Sequence, residues 1–122
     1  MPRPLAVKVT CGTDSPERAN QGLTVAASAA ASGATVSLWL TGEAVWFGVT
    51  GRQPDLGLEH ATPAADLVAV VGGSEGADVV VCSQCALRRD LTGADLLPGL
   101  RIAGAAAFTE LVLGPDVQAL VY

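Results

Sequence analysis

Short apolar runs separated by polar turns indicate that the chain alternates between strands and helices. Leu5–Thr10, Thr35–Leu40 and Asp78–Val81 are rich in Val and Leu, and each has the length of a buried strand. Arg101–Ala103 and Val117–Val121 are interpreted as two further strands. Strands that alternate with helices favour right-handed crossovers and a parallel sheet with helices on both faces.

Proline and glycine signals bound the predicted helices. Ser15-Pro16-Glu17 supplies a hydroxyl N-cap, a proline in the first turn and an acidic residue beside the free N–H groups. The helix it predicts runs to about Ser32, where Gly33 ends it. The other predictions are helices that begin at Pro63, at the cysteine pair and at Ala105, a short helical turn at Thr92–Asp95, an irregular segment at Gly42–Arg52 and a loop at Gln53–His60.

Size and composition predict one domain that spans residues 1–122. Half of the 122 residues are apolar and only 4% are aromatic, so the core must be built mainly from Ala, Val and Leu. A chain of this length can bury such a core without disulfides. The predicted fold class is α/β.

The charge of the chain and its pattern of apolar residues each argue against one kind of partner. The formal net charge is −5, whereas nucleic-acid binding needs a basic surface that neutralises phosphates. The apolar stretch Thr24–Leu40 is interrupted by Ser28, Ser32 and Gly33, so it predicts helix, turn and strand rather than a membrane span. We therefore expect no nucleic-acid or membrane partner.

The cysteine count bears on the compartment. The chain has three cysteines, an odd number. Its start, Met1-Pro2-Arg3-Pro4, leads into a strand-like run rather than into the apolar segment of a signal peptide. We therefore expect a reducing, cytoplasmic setting, where a Cys-x-x-Cys pair serves catalysis or metal binding more often than structure.

Cys82 and Cys85 are the candidate catalytic residues. Cys82 follows the strand residues Val79–Val81, and Cys85 comes three residues later in the predicted helix start. Free N–H groups and the helix dipole at such a start favour the thiolate, which is the nucleophilic form of cysteine. Arg88 and Arg89 lie within about two helical turns and add positive charge. We expect Cys82 to be reactive, whereas Cys85 either resolves a disulfide or faces the core.

The turn Cys11-Gly12-Thr13-Asp14 follows the first strand, so it leaves the sheet at the same edge as Cys82. Such a turn can hold an anion on its free N–H groups. Neither a Gly-x-Gly-x-x-Gly motif nor a P-loop is present, which favours a well-capped βα turn. Trp46 and Phe47 are expected to face a pocket or a subunit interface, and Trp39 is expected in the core.

A single Cys-x-x-Cys pair supplies only two zinc ligands. Cys11 and His60 could in principle complete a set of four, but no spacing in the sequence supports that closure and no second paired motif is present. We therefore expect no metal and no other cofactor.

The segment Cys82-Ser-Gln-Cys85-Ala86-Leu87-Arg88-Arg89 resembles the active segment of the DsrE/DsrF-like family, which reads Cys-x-x-(Ala or Cys)-Ala-x-x-Arg and then Arg or Gly. This family includes TusD-type sulfur-relay proteins and YchN-like proteins. The resemblance covers nearly the whole chain. It extends to Val-Lys-Val-Thr with Asp14–Ala19, to Val36–Leu40 with Gly42, and to Arg101–Gly104 with the closing Val-Gln-Ala-Leu-Val-Tyr.

The resemblance implies a three-layer α/β/α sandwich with a five-stranded, mainly parallel sheet, assembled as homotrimers or homohexamers. It also implies a cytoplasmic sulfur carrier that holds a persulfide on Cys82 and exchanges sulfur with donor and acceptor proteins. Trp46, Gln84, Arg88 and the turn from Cys11 to Asp14 would then line the site.

Two positions depart from the family pattern and leave the mechanism open. Cys85 stands where relay members commonly have Ala, and Asp90 stands where many have Gly. A thiol at Cys85 can attack a Cys82 persulfide, expel sulfide and leave a Cys82–Cys85 disulfide. One alternative is therefore a dithiol redox protein, a reductase or a peroxide-handling enzyme. Another is a small-molecule or subunit-binding module in which the thiols have no chemical role, so whether the chain is an enzyme also stays open.

Overall fold

The computed structural model describes residues 3–122; residues 1 and 2 of the N-terminal segment lie outside this range. None of the helices in the described residues is long and apolar enough to cross a membrane. The elements in chain order are β1 (Pro4–Val9), α1 (Pro16–Ala31), β2 (Thr35–Leu40), a 3₁₀ segment (Gly42–Gly48), α2 (Ala64–Gly72), β3 (Asp78–Cys82), α3 (Ser83–Arg88), a 3₁₀ turn (Gly93–Asp95), β4 (Arg101–Ala103), α4 (Ala105–Val112) and β5 (Gln118–Val121).

The five strands form one sheet in the order β4-β3-β2-β1-β5, and every pairing is parallel. The predicted parallel sheet is therefore confirmed. β2, β3 and β4 are added in one direction from β1, and right-handed crossovers place α1, α2 and α3 on one face. The connection from β4 returns past β1 to β5 and places α4 on the opposite face, which gives the three layers of an α/β/α sandwich.

The sequence predicted most element boundaries to within one residue. β3 extends one residue further than predicted because Cys82 still pairs with Ala103 of β4. The helix expected at Pro63 begins one residue later and uses Pro63 as its N-cap. The turn expected near Asp95 is confirmed, and Asp95 forms a capping box with Thr92.

The main core lies between the sheet and the helices α1 and α2. Val7, Leu38 and Val79 share one register across three strands and point to this side. They pack with Leu23 of α1, and all four are at most 3% exposed. Full burial of such a side chain contributes roughly 1.5–3 kcal/mol, so this layer contributes substantially to stability.

The opposite face of the sheet is more thinly covered. Lys8, Trp39 and Val80 share one register there, and Trp39 is 2% exposed, as expected for a core residue. Phe108 of α4 packs edge-to-face on Trp39 with ring centroids 5.2 Å apart. No residue of α4 is fully buried, however, and all residues of the edge strand β5 are exposed.

Phe47 contradicts the expectation that the Trp46–Phe47 pair faces a pocket or an interface. The Phe47 side chain is fully buried in the main core. Consecutive side chains of the 3₁₀ segment point in different directions, so the neighbouring Trp46 stays only half-buried. The guanidinium of Arg52 lies 4.2 Å from the centroid of the Trp46 ring.

Candidate functional site

Cys82 lies at the strand-to-helix junction that the sequence predicted. It is the last residue of β3 and the N-cap of α3, with extended dihedral angles of φ −62° and ψ 129°. The residue is half-buried. Because Cys82 is two residues beyond Val80 on the same strand, it opens to the face of the sheet that carries Lys8 and Trp39.

The pKa of the Cys82 thiol is lowered from its ordinary value. Burial by itself raises this pKa, but the backbone N–H and the thiol of Cys85, the backbone N–H of Gln84 and the positive charge of Lys8 together outweigh burial. The side chain forms no capping hydrogen bond as it stands, so the N–H groups gain a strong acceptor when the thiol ionises. The surroundings of Cys82 therefore favour its thiolate more than those of an ordinary cysteine do.

Cys85 is fixed by the segment that follows β2. The backbone N–H of Gly42 donates a hydrogen bond to Sγ of Cys85 at 3.2 Å. Gly42 has a φ of +54°, and a Cβ at this position would lie 2.6 Å from the carbonyl oxygen of Thr10. Only glycine fits both the dihedral angle and the space, so Gly42 directs a backbone donor at the second thiol.

Arg89 fastens α3 to the same segment. Its Nε and Nη2 donate hydrogen bonds to Oε2 of Glu43 at 3.0 and 2.8 Å. Its Nη1 donates to the carbonyl oxygen of Cys85 at 3.1 Å. Two hydrogen bonds to one carboxylate hold the guanidinium more firmly than a single contact. Arg89 and Glu43 therefore form a clamp that ties the C-terminal end of α3 to the 3₁₀ segment.

The turn from Cys11 to Asp14 supports this clamp from β1. A Cβ on Gly12 would lie 2.8 Å from the carbonyl oxygen of Glu43, so the two backbones are in close contact. The N–H of Gly12 donates to Oδ1 of Asp14 at 2.7 Å and is thus already used within the turn. Thr13 and Asp14 are exposed. Ser15 is the N-cap of α1, but its side chain does not form the expected capping hydrogen bond.

The Cys11 thiol lies in the main core and is 4% exposed. Burial and the charge of Asp14 raise its pKa, against the opposing effects of Arg18 and the Ser15 hydroxyl. Cys11 follows β1 at the same edge as Cys82, as expected, but β2 lies between their strands. Cys11 packs on the α1 side, whereas Cys82 opens to the α4 side, so the sheet separates the two sulfurs.

Two further residues that were predicted to line the site, Gln84 and Arg88, lie on α3. Both are exposed, and Gln84 acts on Cys82 through its backbone N–H. Arg88 was expected to line the site, but the arginine that hydrogen-bonds to the carbonyl group of Cys85 is Arg89. Arg89 is the C-cap of α3, where its guanidinium can reach a carbonyl group of the last turn.

Lys8 and Gly42 were not singled out from the sequence. Lys8 is the one charged residue of β1. Charged residues are rare in strands that helices cover on both faces, so this position could have been predicted as a candidate from the sequence. Gly42 contacts Thr10 and Cys85. These contacts exist because β2 lies between β1 and β3, and strand order cannot be read from the sequence. Within residues 3–122, no group of three or more His, Cys, Asp and Glu side chains is arranged to hold a metal ion.

The fold and the site define an α/β protein with a half-buried cysteine of lowered pKa at the carboxyl end of an inner parallel strand. The sequence matches the model of the DsrE/DsrF-like family over residues 5–116. The chain therefore belongs to the DsrE/DsrF-like family. No curated protein sequence is significantly similar to it.

Two solved structures have the same fold. The YchN protein from E. coli superimposes with a TM-score of 0.78 at 19% sequence identity, and the match covers 100% of both chains. The MTH1491 protein of Methanobacterium thermoautotrophicum, described as being of unknown function, gives a TM-score of 0.69 at 11% identity, over 98% of this chain and 99% of that one. At these identities the similarity establishes the architecture.

Proposed function

We propose that the chain is a sulfur-transfer protein that carries sulfane sulfur as a persulfide on Cys82. The thiolate of Cys82 attacks the outer sulfur of a donor persulfide. The S–S bond of the donor breaks, a new S–S bond forms on Cys82, and the donor leaves as a thiolate. A partner thiolate then takes the outer sulfur in the same way and restores the Cys82 thiolate, so no external oxidant or reductant is required.

One observation carries this proposal: a half-buried cysteine at the end of β3 has a lowered pKa because backbone N–H groups, a second thiol and a lysine favour its anion. A carrier needs a sulfur that is nucleophilic at neutral pH and open to its partners. Membership of the DsrE/DsrF-like family supports sulfur relay as the setting. The partners would be donor and acceptor proteins, and the reaction requires free thiols, which suits the cytoplasm.

Cys85 supports a second candidate, a dithiol redox function. Its thiol faces the Cys82 sulfur closely enough to lower the pKa of Cys82. If the Cys85 thiolate attacked the inner sulfur of a Cys82 persulfide, sulfide would leave and a Cys82–Cys85 disulfide would form. The hydrogen bond from the N–H of Gly42 to Sγ of Cys85 would also favour the attacking Cys85 thiolate.

The test is the intact mass of the reduced protein after incubation with glutathione persulfide. The variants are Cys82→Ser and Cys85→Ala, with Cys11→Ala as a matched control because its thiol is buried. The carrier function predicts one added sulfur in the wild type, in Cys85→Ala and in Cys11→Ala, and none in Cys82→Ser. Loss of two hydrogens in the wild type, with added sulfur only in Cys85→Ala, would indicate dithiol redox chemistry.

An unmodified mass in every variant would exclude both thiol functions. The binding module would then remain, and it predicts that Cys82 reacts with alkylating agents no faster than a peptide thiol. These outcomes differ in mass alone, so a single experiment separates the three functions.

We also propose that the chain assembles as a homotrimer or homohexamer through the α4 and β5 side. Val121 is 62% exposed and Leu113 is 80% exposed on this side. The edge strand β5 pairs only with β1 among the described residues, and exposed apolar edge strands are usually covered by a partner. Assembly there would complete the thin layer beside Phe108.

A further inference from the structure

The side chain of Lys8 is held by an aromatic ring. Its Nζ lies 4.0 Å from the centroid of the Phe108 ring, and a cation over a ring face is stabilised by the π electrons. Phe108 is itself fixed by its edge-to-face contact with Trp39. Three residues from β1, β2 and α4 thus fix the ammonium group above the sheet.

The charge of Lys8 is not neutralised by an ion pair. The described residues form two ion pairs, Glu43–Arg89 and Asp78–Arg101, and Lys8 belongs to neither. Asp78 and Arg101 share the sheet face with Lys8 by register but bind each other at 2.7 Å. Glu110, the acidic residue of α4, is exposed and forms neither of these ion pairs. A half-buried ammonium without a carboxylate is most favourable beside another anion.

Cys82 supplies that anion on the same face of the sheet. Lys8 is in register with Trp39, which is in register with Val80, and Cys82 comes two residues later on β3. Strand spacing places the two backbones about 10 Å apart across the sheet and about 7 Å apart along it. The positive charge of Lys8 acts across this separation and lowers the pKa of Cys82, after the hydrogen bonds from Cys85 and Gln84.

We propose that Lys8 is a functional residue of the Cys82 site, where its ammonium group, held over Phe108, stabilises negative sulfur on Cys82. This inference rests on the proposed carrier function. During transfer the negative charge moves from Sγ of Cys82 to the outer sulfur of its persulfide, one S–S bond away. The ammonium therefore remains near a negative charge in both states of the carrier, and Phe108 acts as its positioning residue.

The experiment measures the pH dependence of Cys82 alkylation by iodoacetamide, resolved by peptide mass. The variants are Lys8→Met, Lys8→Arg and Phe108→Leu. Arg52→Met is the matched control because it removes one positive charge from the cation–π pair with Trp46. Loading with glutathione persulfide is measured on the same samples, and thermal melting checks that each variant is folded.

We expect Lys8→Met to move the alkylation midpoint to higher pH and to slow alkylation up to about threefold at neutral pH. The rates should converge at high pH, where every variant is ionised. Lys8→Arg should restore the profile because a guanidinium also binds an aromatic face. Phe108→Leu should shift the midpoint in the same direction by less, and Arg52→Met should leave it unchanged.

A Lys8→Met profile identical to that of the wild type would overturn the proposal, and so would equal slowing at every pH. If Lys8→Met does not fold, an unshifted midpoint in Phe108→Leu overturns it instead. Failure of the wild type to load sulfur would count against the carrier function, whereas normal loading with an unshifted midpoint would count against Lys8 alone.

Discussion

The backbone N–H of Gly42 donates a 3.2 Å hydrogen bond to Sγ of Cys85. The two residues are 43 positions apart in the chain and meet because β2 and β3 are neighbours that end at the same edge of the sheet. This hydrogen bond orients the second thiol while leaving Cys82 open. The geometry therefore gives the two cysteines of one motif different surroundings.

Gly42→Ala should destabilise the protein and release Cys85. A side chain at Gly42 requires a strained positive φ and clashes with the carbonyl group of Thr10, and such strain costs about 1–3 kcal/mol. Urea unfolding and the alkylation rate of Cys85 measure the two effects. Gly51→Ala is the control, because Gly51 has a φ of +74° and nothing within 4 Å. Equal destabilisation by the two substitutions would show that the close contact with Thr10 is unimportant.

Cys82 should be alkylated at lower pH than Cys11. The lowered pKa of Cys82 raises its thiolate fraction at neutral pH, while burial and Asp14 raise the pKa of Cys11. The midpoint for Cys82 should lie below that of an ordinary cysteine in an unfolded peptide, and that for Cys11 above it. Peptide-resolved rates with iodoacetamide between neutral and alkaline pH measure both. A Cys82 midpoint at or above that of the unfolded peptide would contradict the assigned nucleophile.

Arg89→Met should loosen α3 without unfolding the sheet. It removes the clamp to Glu43 and the hydrogen bond to the Cys85 carbonyl, at a cost of about 1 kcal/mol for a partly exposed pair. Hydrogen exchange of the α3 amides should accelerate, as should alkylation of Cys85. The control is Arg101→Met, which breaks the more exposed ion pair with Asp78. If both variants leave α3 exchange unchanged, the clamp does not hold the helix.

Leu113→Lys should lower the mass of the oligomer in solution, because it places a charge on the exposed apolar side formed by α4 and β5. Val70→Lys is the matched control on α2, where Val70 is 46% exposed on the other face. Light scattering coupled to size-exclusion chromatography gives the masses. We expect a smaller mass only for Leu113→Lys. A monomeric wild type would refute self-association, and equal masses for all three proteins would place the interface elsewhere.

The sequence alone determined the elements and the location of the candidate nucleophile. Val-rich runs for β2 and β3, and the proline and glycine signals around α1, act over a few residues, so local physics fixes them. The junction at Cys82 follows from the same signals. Phe47 shows where this reasoning fails, because a short 3₁₀ segment has no period from which its buried side can be read.

Tertiary structure decided which distant residues meet the two thiols. Strand order brings Gly42 and Glu43 to α3, buries Cys11 on the α1 side of the sheet, and places Lys8 on the face to which Cys82 opens. These relationships depend on long-range packing and strand order rather than on neighbours in the chain. The sequence thus specified the position of the candidate nucleophile, while the fold determined the hydrogen-bond donors, the Arg89–Glu43 clamp and the cation that surround it.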